Sequence, residues 1–135
     1  MRLYLDTNAL IFGVEGPAKV RDQVFGWIDR FEATSDGLAV TSRLSRLECR
    51  VKPMRLGDTA ALARFDAVLD AGNLSIVEVS ADVIERATEI RAQHGFRVPD
   101  ALHMATAVLE RADVFLTSDA KLKRFSNLAV ELLQL

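Results

Sequence analysis

The stretch Arg2–Asn8, RLYLDTN, decides the fold, because a short apolar run stops abruptly at three polar residues. Such a run is typical of a buried strand, so we predict a strand over Arg2–Leu5. Similar runs recur along the chain. They predict further strands at Leu38–Thr41, Leu74–Val79, Val114–Thr117 and Ala129–Leu133.

Segments with helical periodicity separate these strands. The apolar side chains of Val20, Val24 and Trp27 recur at helical spacing, which predicts an amphipathic helix over Ala18–Ala33. A helical turn is predicted at Asn8–Gly13 and a short helix at Ala120–Phe125. Longer helices are predicted at Ser42–Lys52 (broken at Pro53), Asp58–Asp70, Ser80–His94 and Pro99–Ala112. Strands that alternate with helices predict an α/β domain, with a mostly parallel sheet covered on both faces.

The composition describes an ordinary globular chain. Its 135 residues are half apolar and 27% charged, and we expect one domain over residues 1–135. No apolar run approaches the roughly 20 residues that span a bilayer, and no N-terminal targeting signal is visible. Cys49 is the single cysteine, which excludes an internal disulfide and favours a reducing cytoplasm. The net charge of −2 argues weakly against nonspecific nucleic-acid binding.

Four acids lie at or near the ends of predicted elements: Asp6, Glu48, Asp100 and Asp119. Ligands of open parallel sheets bind beyond the carboxyl ends of the strands, so we expect these acids in one pocket. A pocket of like charges needs a cation. Carboxylate oxygens, without cysteine or a close histidine pair, favour Mg²⁺ or Mn²⁺ over zinc.

Each acid also has a structural interpretation. Asp6 and Asp119 can cap the helices that follow them, and Asp100 can complement a helix dipole. Glu48 can form a capping box with Ser45, although Thr41 or Ser42 is the better-placed cap. The helical wheel puts Glu48 at the edge of an apolar stripe that we expect to face the core, formed by Leu44, Leu47 and Val51.

Several neighbours bear on the same pocket. Thr7 and Thr117 can hydrogen-bond the carboxylates from a second shell, although both are also ordinary turn residues. His103 can be a hydrogen-bonding partner near the site or, equally, a half-buried surface histidine, and we favour the surface position over metal ligation. We expect Phe96 and Phe125 to lie in the core rather than to stack on bases.

Basic side chains flank two of the acids. Arg43, Arg46 and Arg50 surround Glu48, and Lys121 and Lys123 follow the last acid. Such cations can hold RNA phosphates, which position a strand without reading its sequence. The alternative is a solvated helical face.

Four segments taken in order resemble a known family: Leu5–Asn8 (LDTN), Ser45–Glu48 (SRLE), Pro99–Ala107 (PDALHMATA) and Thr117–Asp119 (TSD). Their order and spacing resemble the PIN domain, and specifically the VapC-type toxins of bacterial and archaeal toxin–antitoxin pairs. The resemblance covers essentially the whole chain, and Pro99–Ala107 is its most specific segment. One departure is Ser118, where members often carry Asn.

The resemblance implies a three-layer α/β/α domain and a Mg²⁺- or Mn²⁺-dependent endoribonuclease, the toxin of a type II pair. It implies that one or two ions are held by Asp6, Glu48, Asp100 and Asp119. Members usually dimerise and are inhibited by an antitoxin whose C-terminal segment lies across the site. Their known targets are transfer or ribosomal RNAs.

Two other functions stay open. A PIN module can act as a non-catalytic RNA-binding scaffold, but such a module is expected to have lost acids, and all four positions are filled here. An Asp-based phosphatase of the haloacid-dehalogenase type needs a second Asp where this chain has Asn8. A phosphotransfer receiver domain leaves Glu48 and Asp100 unexplained.

Overall fold

Five strands form one parallel sheet in the computed structural model, which describes residues 1–135. The strands are Arg2–Leu5 (β1), Leu38–Ser42 (β2), Leu74–Val77 (β3), Val114–Thr117 (β4) and Val130–Leu132 (β5). Their order is β3-β2-β1-β4-β5, and every neighbouring pair is parallel. The predicted sheet is therefore confirmed, and it is parallel throughout.

Six α-helices and one 3-10 helix connect the strands. They are Thr7–Glu15 (α1), Ala18–Glu32 (α2), Arg43–Leu56 (α3), Thr59–Leu69 (α4), Ala81–His94 (α5), Val98–Leu109 (α6) and the 3-10 helix Ala120–Arg124. Ser80 caps α5, and Gly95 ends it in the left-handed conformation at φ 70°, both as predicted. None of the helices has the length and apolar character needed to cross a bilayer.

Alternating strand residues divide the core between the two faces of the sheet. Leu3 and Leu5 of β1 belong to a core shared with α1, α2, α3 and α4. Tyr4, between them, belongs to the opposite core, with Met104 of α6 and residues of α5. Helices thus cover both faces, and the predicted three-layer α/β/α architecture is confirmed.

Helix α3 is longer than predicted. Pro53 does not break it, and the helix continues to Leu56. A proline near the end of a helix removes a single backbone donor from the last turn, which local contacts can compensate. Gly57 then ends the helix at φ 65°, a left-handed conformation that glycine adopts without steric cost.

The predicted inward face of α3 is also wrong. Ser45, Cys49 and Pro53 face the core, whereas Leu47 and Val51 are 63% and 50% exposed. The polar Ser45 is accommodated inside because its hydroxyl takes part in buried hydrogen bonds. Periodicity finds an apolar stripe on a helix, but it cannot tell whether that stripe packs on the core or faces outward.

The strand order reverses beside β1, which has β2 on one side and β4 on the other. Leu5, the last residue of β1, is aligned with Leu116 of β4. Open parallel sheets bind ligands in the crevice at such a reversal, beyond the carboxyl ends of the strands. Asp6 follows β1 directly and Asp119 lies two residues after β4, so the topology brings both acids to this crevice.

Candidate functional site

Asp6 is held from both sides of its carboxylate. Its Oδ1 accepts the Thr7 backbone N–H at 2.9 Å, which caps α1 as the structural interpretation expected. Its Oδ2 accepts the Thr117 hydroxyl at 2.8 Å and the Asn8 side-chain amide at 3.0 Å. The residue is only 4% exposed, so these bonds replace the water that a surface carboxylate would have.

Asn8 and Thr117 connect β4 to the start of α1. The Asn8 Oδ1 accepts the Ser118 N–H at 2.8 Å, and the Thr117 hydroxyl accepts the Asp119 N–H at 3.1 Å. Asn8 was not among the predicted site residues, although its place in the LDTN segment was an available signal. Asp119 caps the 3-10 helix through Oδ1, and its Oδ2 accepts no hydrogen bond.

Glu48 reaches the site from α3. Its Oε1 accepts the Thr7 hydroxyl at 2.8 Å and lies 2.7 Å from Nε2 of His103. Ser42 caps α3, as predicted, so the alternative capping box between Ser45 and Glu48 does not form. The hydrogen bonds predicted from Thr7 and Thr117 to the acids are present, and their role toward a metal stays a prediction.

His103 is buried in the site, so the surface alternative is wrong and the alternative of a hydrogen-bonding partner is confirmed. It is 1% exposed, and every residue of α6 from His103 to Ala107 is buried. Its Nδ1 lies 2.7 Å from the Tyr4 hydroxyl, and its Nε2 lies 3.8 Å from Asp6 Oδ1. The ring therefore stands between the sheet and two acids.

The surroundings shift the pKa values of two acids in opposite directions. Burial dominates at Asp6 and raises its pKa, although His103 and hydrogen bonds from Thr117 and Thr7 act against the rise. Burial also acts to raise the pKa of Glu48, but hydrogen bonds from His103 and Thr7 outweigh it, and that pKa is lowered. Adjacent carboxyls thus differ in how readily they ionise.

Asp100 lies in the first turn of α6 and pairs with Arg97. The guanidinium Nε stands 3.2 Å from Asp100 Oδ2, and the Arg97 side chain is 76% exposed. The bond and charge of Asp100 raise the pKa of Arg97, and the charges of Asp119 and Glu48 add to the rise. The guanidinium of Arg97 therefore interacts electrostatically with three of the four acids. The sequence analysis missed it, although it stands three residues before Asp100.

A cavity of about 310 Å³ adjoins two of the acids, Asp100 and Asp119. Its rim carries the cations Arg97, Lys121 and Arg124, and the Lys121 ammonium forms no ion pair. The Lys123 ammonium instead donates to the Val130 carbonyl at 3.0 Å. Phe96, also in the lining, and Phe125 are buried in the core as predicted.

The family model of the PIN domain matches residues 3–128 of the chain. The chain belongs to the PIN-domain family.

Solved structures share the fold of this PIN domain along nearly its whole length. VapBC2 from Rickettsia felis, bound to a promoter DNA fragment, has a TM-score of 0.80 at 21% identity and covers 99% of this chain and 100% of its own. VapBC-1 from nontypeable Haemophilus influenzae has a TM-score of 0.71 at 15% identity, with 98% of each chain covered. Mycobacterium tuberculosis VapC20, described as a Sarcin-Ricin loop cleaving toxin, has a TM-score of 0.61 at 22% identity, covering 84% and 86%. The search of curated proteins found no match.

The donor set of this PIN domain suits a hard divalent cation. Asp6, Glu48, Asp100 and Asp119 offer carboxylate oxygens, which Mg²⁺ and Mn²⁺ prefer. Burial raises the pKa of the Cys49 thiol to about 12, so no thiolate is available for zinc. No three His, Cys, Asp or Glu side chains are arranged closely enough to hold an ion, so binding requires side-chain movement. The ion pair between Asp100 and Arg97 is one contact that such movement would break.

Three of the four arginines of α3 are engaged on the outer face of the PIN domain. They form ion pairs with acids in α4, directly after α4 and in the loop after β3: Arg43 with Glu78 at 2.7 Å, Arg46 with Asp70 at 2.9 Å and Arg50 with Asp66 at 2.8 Å. They also line an apolar groove of about 570 Å³ with Leu44, Leu47, Val51, Met54 and Val79. Their predicted contact with RNA stays a prediction, and these ion pairs compete with it.

Proposed function

We propose that this PIN domain is a divalent-metal-dependent endoribonuclease, the toxin of a type II toxin–antitoxin pair. The proposal rests on one observation: Asp6 and Glu48 both contact Thr7 and His103. These contacts lie where the strand order of the sheet reverses. Asp100 and Asp119 line one cavity beside them. A crevice beyond the strand ends, where open parallel sheets bind ligands, supports a shared role for the four carboxylates.

In hydrolysis, the side chains of this domain would hold the metal ions and orient the carboxylates that bind them. Asp6, Glu48, Asp100 and Asp119 would hold one or two Mg²⁺ or Mn²⁺ ions. When bound, such ions activate a water molecule and stabilise the leaving oxygen of an in-line displacement at phosphorus. Thr7 donates to Glu48 and Thr117 donates to Asp6, so these hydroxyls would orient two of the carboxylates that hold the ion.

The RNA strand would follow the cation-rimmed cavity beside Asp100 and Asp119. Lys121 has no acidic partner, and Arg97 is exposed beside the acids, so both can meet phosphates. Such contacts position RNA without reading sequence, which leaves base recognition to other features. We propose a transfer or ribosomal RNA as the substrate, and the Sarcin-Ricin loop cleavage named for VapC20 is consistent with that class.

A cognate antitoxin is the second proposed partner. Structures similar to this chain include a toxin–antitoxin complex from Klebsiella pneumoniae, with a TM-score of 0.69 at 21% identity. We propose that the antitoxin covers the acids and that the pair acts in the cytoplasm. The buried single thiol, which forms no disulfide, is compatible with a reducing compartment.

A second copy of the chain is the proposed occupant of the apolar groove on α3. A two-fold interface places the same patch on both subunits, so the patch must complement itself. The groove offers an apolar stripe of Leu47, Val51 and Met54 beside arginines that are already paired, and the same stripe of a second copy would cover it. An exposed apolar stripe of this kind marks a protein-binding surface.

The experiment is RNA cleavage by the purified protein with Mn²⁺ or Mg²⁺. We expect endonucleolytic products that EDTA abolishes, and no products from Asp6→Asn or Asp100→Asn. Asp22→Asn, at an exposed position of α2, is the matched control and should retain activity. A folded and fully active Asp6→Asn protein contradicts the assignment. RNA binding without cleavage would favour the scaffold, and an aspartyl-phosphate would favour phosphotransfer.

A further inference from the structure

Tyr4 and His103 form a buried pair behind the acids. The Tyr4 ring stacks on Phe115 of the neighbouring strand, with centroids 5.1 Å apart and planes at 9°. Its hydroxyl lies 2.7 Å from Nδ1 of His103, and both side chains are almost fully buried. The sheet therefore sets where the hydroxyl lies, and the hydroxyl sets how the imidazole is turned.

Each ring nitrogen of His103 has a hydrogen-bonding partner. Nδ1 lies 2.7 Å from the Tyr4 hydroxyl, and Nε2 lies 2.7 Å from Glu48 Oε1 and 3.1 Å from the Thr7 hydroxyl. A neutral ring that donates to the Glu48 carboxylate carries its hydrogen on Nε2 and accepts the Tyr4 hydroxyl at Nδ1. In that arrangement, one chain of donors runs from the sheet through His103 to the carboxylate.

Glu48 consequently has one occupied oxygen and one open oxygen. Its Oε1 accepts from both His103 and Thr7, whereas its Oε2 accepts no hydrogen bond. A glutamate that is fixed on binding loses rotamer freedom, and these two bonds restrict it beforehand. The open oxygen is the one that a cation can take.

We propose that His103, oriented by Tyr4, is a positioning residue that holds Glu48 for cation binding. The proposal rests on the metal dependence of the proposed function. Histidines that touch a metal ligand rather than the metal act in this way, and losing such a partner weakens metal affinity about 10–100-fold. A purely structural histidine would affect folding stability and leave metal affinity unchanged.

The test is a Mn²⁺ titration of the metal-free protein, followed by the rise in melting temperature and needing no RNA. His103→Leu should raise the half-saturating Mn²⁺ concentration about 10–100-fold. His103→Gln should recover most of the affinity, because its amide nitrogen can lie near the position of Nε2. Tyr4→Phe keeps the stacked ring and should give a smaller loss, since only the orienting hydroxyl is removed.

Ile90→Ala is the matched control for lost stability. Ile90 is a buried residue of the same core on α5, so this variant should melt lower and keep wild-type Mn²⁺ affinity. A folded His103→Leu protein with wild-type Mn²⁺ affinity overturns the proposal. So does a His103→Gln protein that binds as weakly as His103→Leu.

Nitrogen-15 NMR of the imidazole gives an independent readout. Wild-type metal-free protein should show the Nε2–H tautomer at His103, and Tyr4→Phe should show a mixture of tautomers. A wild-type ring with hydrogen on Nδ1 refutes the proposed orientation. Wild-type protein that binds Mn²⁺ but cleaves no RNA sinks the endoribonuclease proposal alone, whereas protein that binds no Mn²⁺ overturns both proposals.

Discussion

Replacing Thr117 by valine removes one hydroxyl from the centre of the site and keeps the branched shape of the side chain. That hydroxyl donates to Asp6 Oδ2 at 2.8 Å and accepts the Asp119 N–H at 3.1 Å. Thr117 is fully buried, so water cannot take the place of the lost group. The substitution therefore measures how much the hydrogen bond from Thr117 to Asp6 contributes to folding stability.

The expected cost follows from these contacts. A hydrogen bond to a charged group contributes about 1.5–3 kcal/mol, and a stranded backbone donor costs about 1 kcal/mol more. We therefore expect Thr117→Val to lose about 2–4 kcal/mol at neutral pH. In acid, where Asp6 is protonated, the bond is no longer charge-assisted and the loss should shrink toward about 1 kcal/mol.

Urea unfolding in EDTA at neutral and acidic pH measures this difference. With a slope of about 2 kcal/mol per molar, the neutral midpoint should fall by about 1–2 M. Thr88→Val is the matched control, since its hydroxyl sits on the exposed face of α5 and bonds only the Ile84 carbonyl. If both variants lose the same stability, or if the loss is independent of pH, the stabilising role assigned to the hydrogen bond from Thr117 to Asp6 is wrong.

Three further outcomes are expected. The raised pKa of Asp6 means that the native state keeps a proton that the unfolded chain releases, so its contribution to metal-free stability falls as pH rises from 3.8 through the raised value. Asp6→Asn should flatten this fall in stability, measured by urea unfolding at several pH values. The loss of stability in acid that follows from the lowered pKa of Glu48 should remain in this variant. Arg97→Ala with Lys121→Ala should reduce the salt slope of RNA binding by about 1.4, at about 0.7 per phosphate, whereas Arg46→Ala with Arg50→Ala should change it less because both arginines are paired. An equal change in the salt slope for both double variants would indicate that RNA binds along α3. Leu47→Glu should convert a dimer to a monomer in light scattering, whereas Leu135→Glu, also at an exposed leucine, should not.

The fold was predictable because the apolar runs, the polar residues that end them and the capping residues all indicated the same elements. Arg2–Leu5 and Val114–Thr117 are apolar runs that end at polar residues, and both are strands with those bounds. Helix ends marked by Ser80 and Gly95 were placed from capping preferences alone. Pro53 was misplaced because the rule that proline ends a helix weakens in the last turn.

The site was predictable only in part. Acids after strands could be placed from topology, because the carboxyl ends of parallel strands share one edge. Contacts between distant segments could not be placed in the same way. His103 lies 99 positions from Tyr4 and 55 from Glu48, and no local pattern encodes such a triad. The outward face of α3 was missed for a related reason, since a stripe of Leu47 and Val51 looks the same whether its own core or another chain covers it.

Helix α3 presents Glu48 toward the crevice and Leu47 to the outside, in consecutive positions of one rigid rod. If a second chain binds on the outer face, any tilt of the rod that accompanies association also displaces the carboxylate. The two equilibria are then linked, and linkage is reciprocal: cation binding must strengthen or weaken self-association by the same factor as the reverse. If the domain cleaves RNA as proposed, protein concentration would thereby act as an effector of cleavage, with no additional regulatory site.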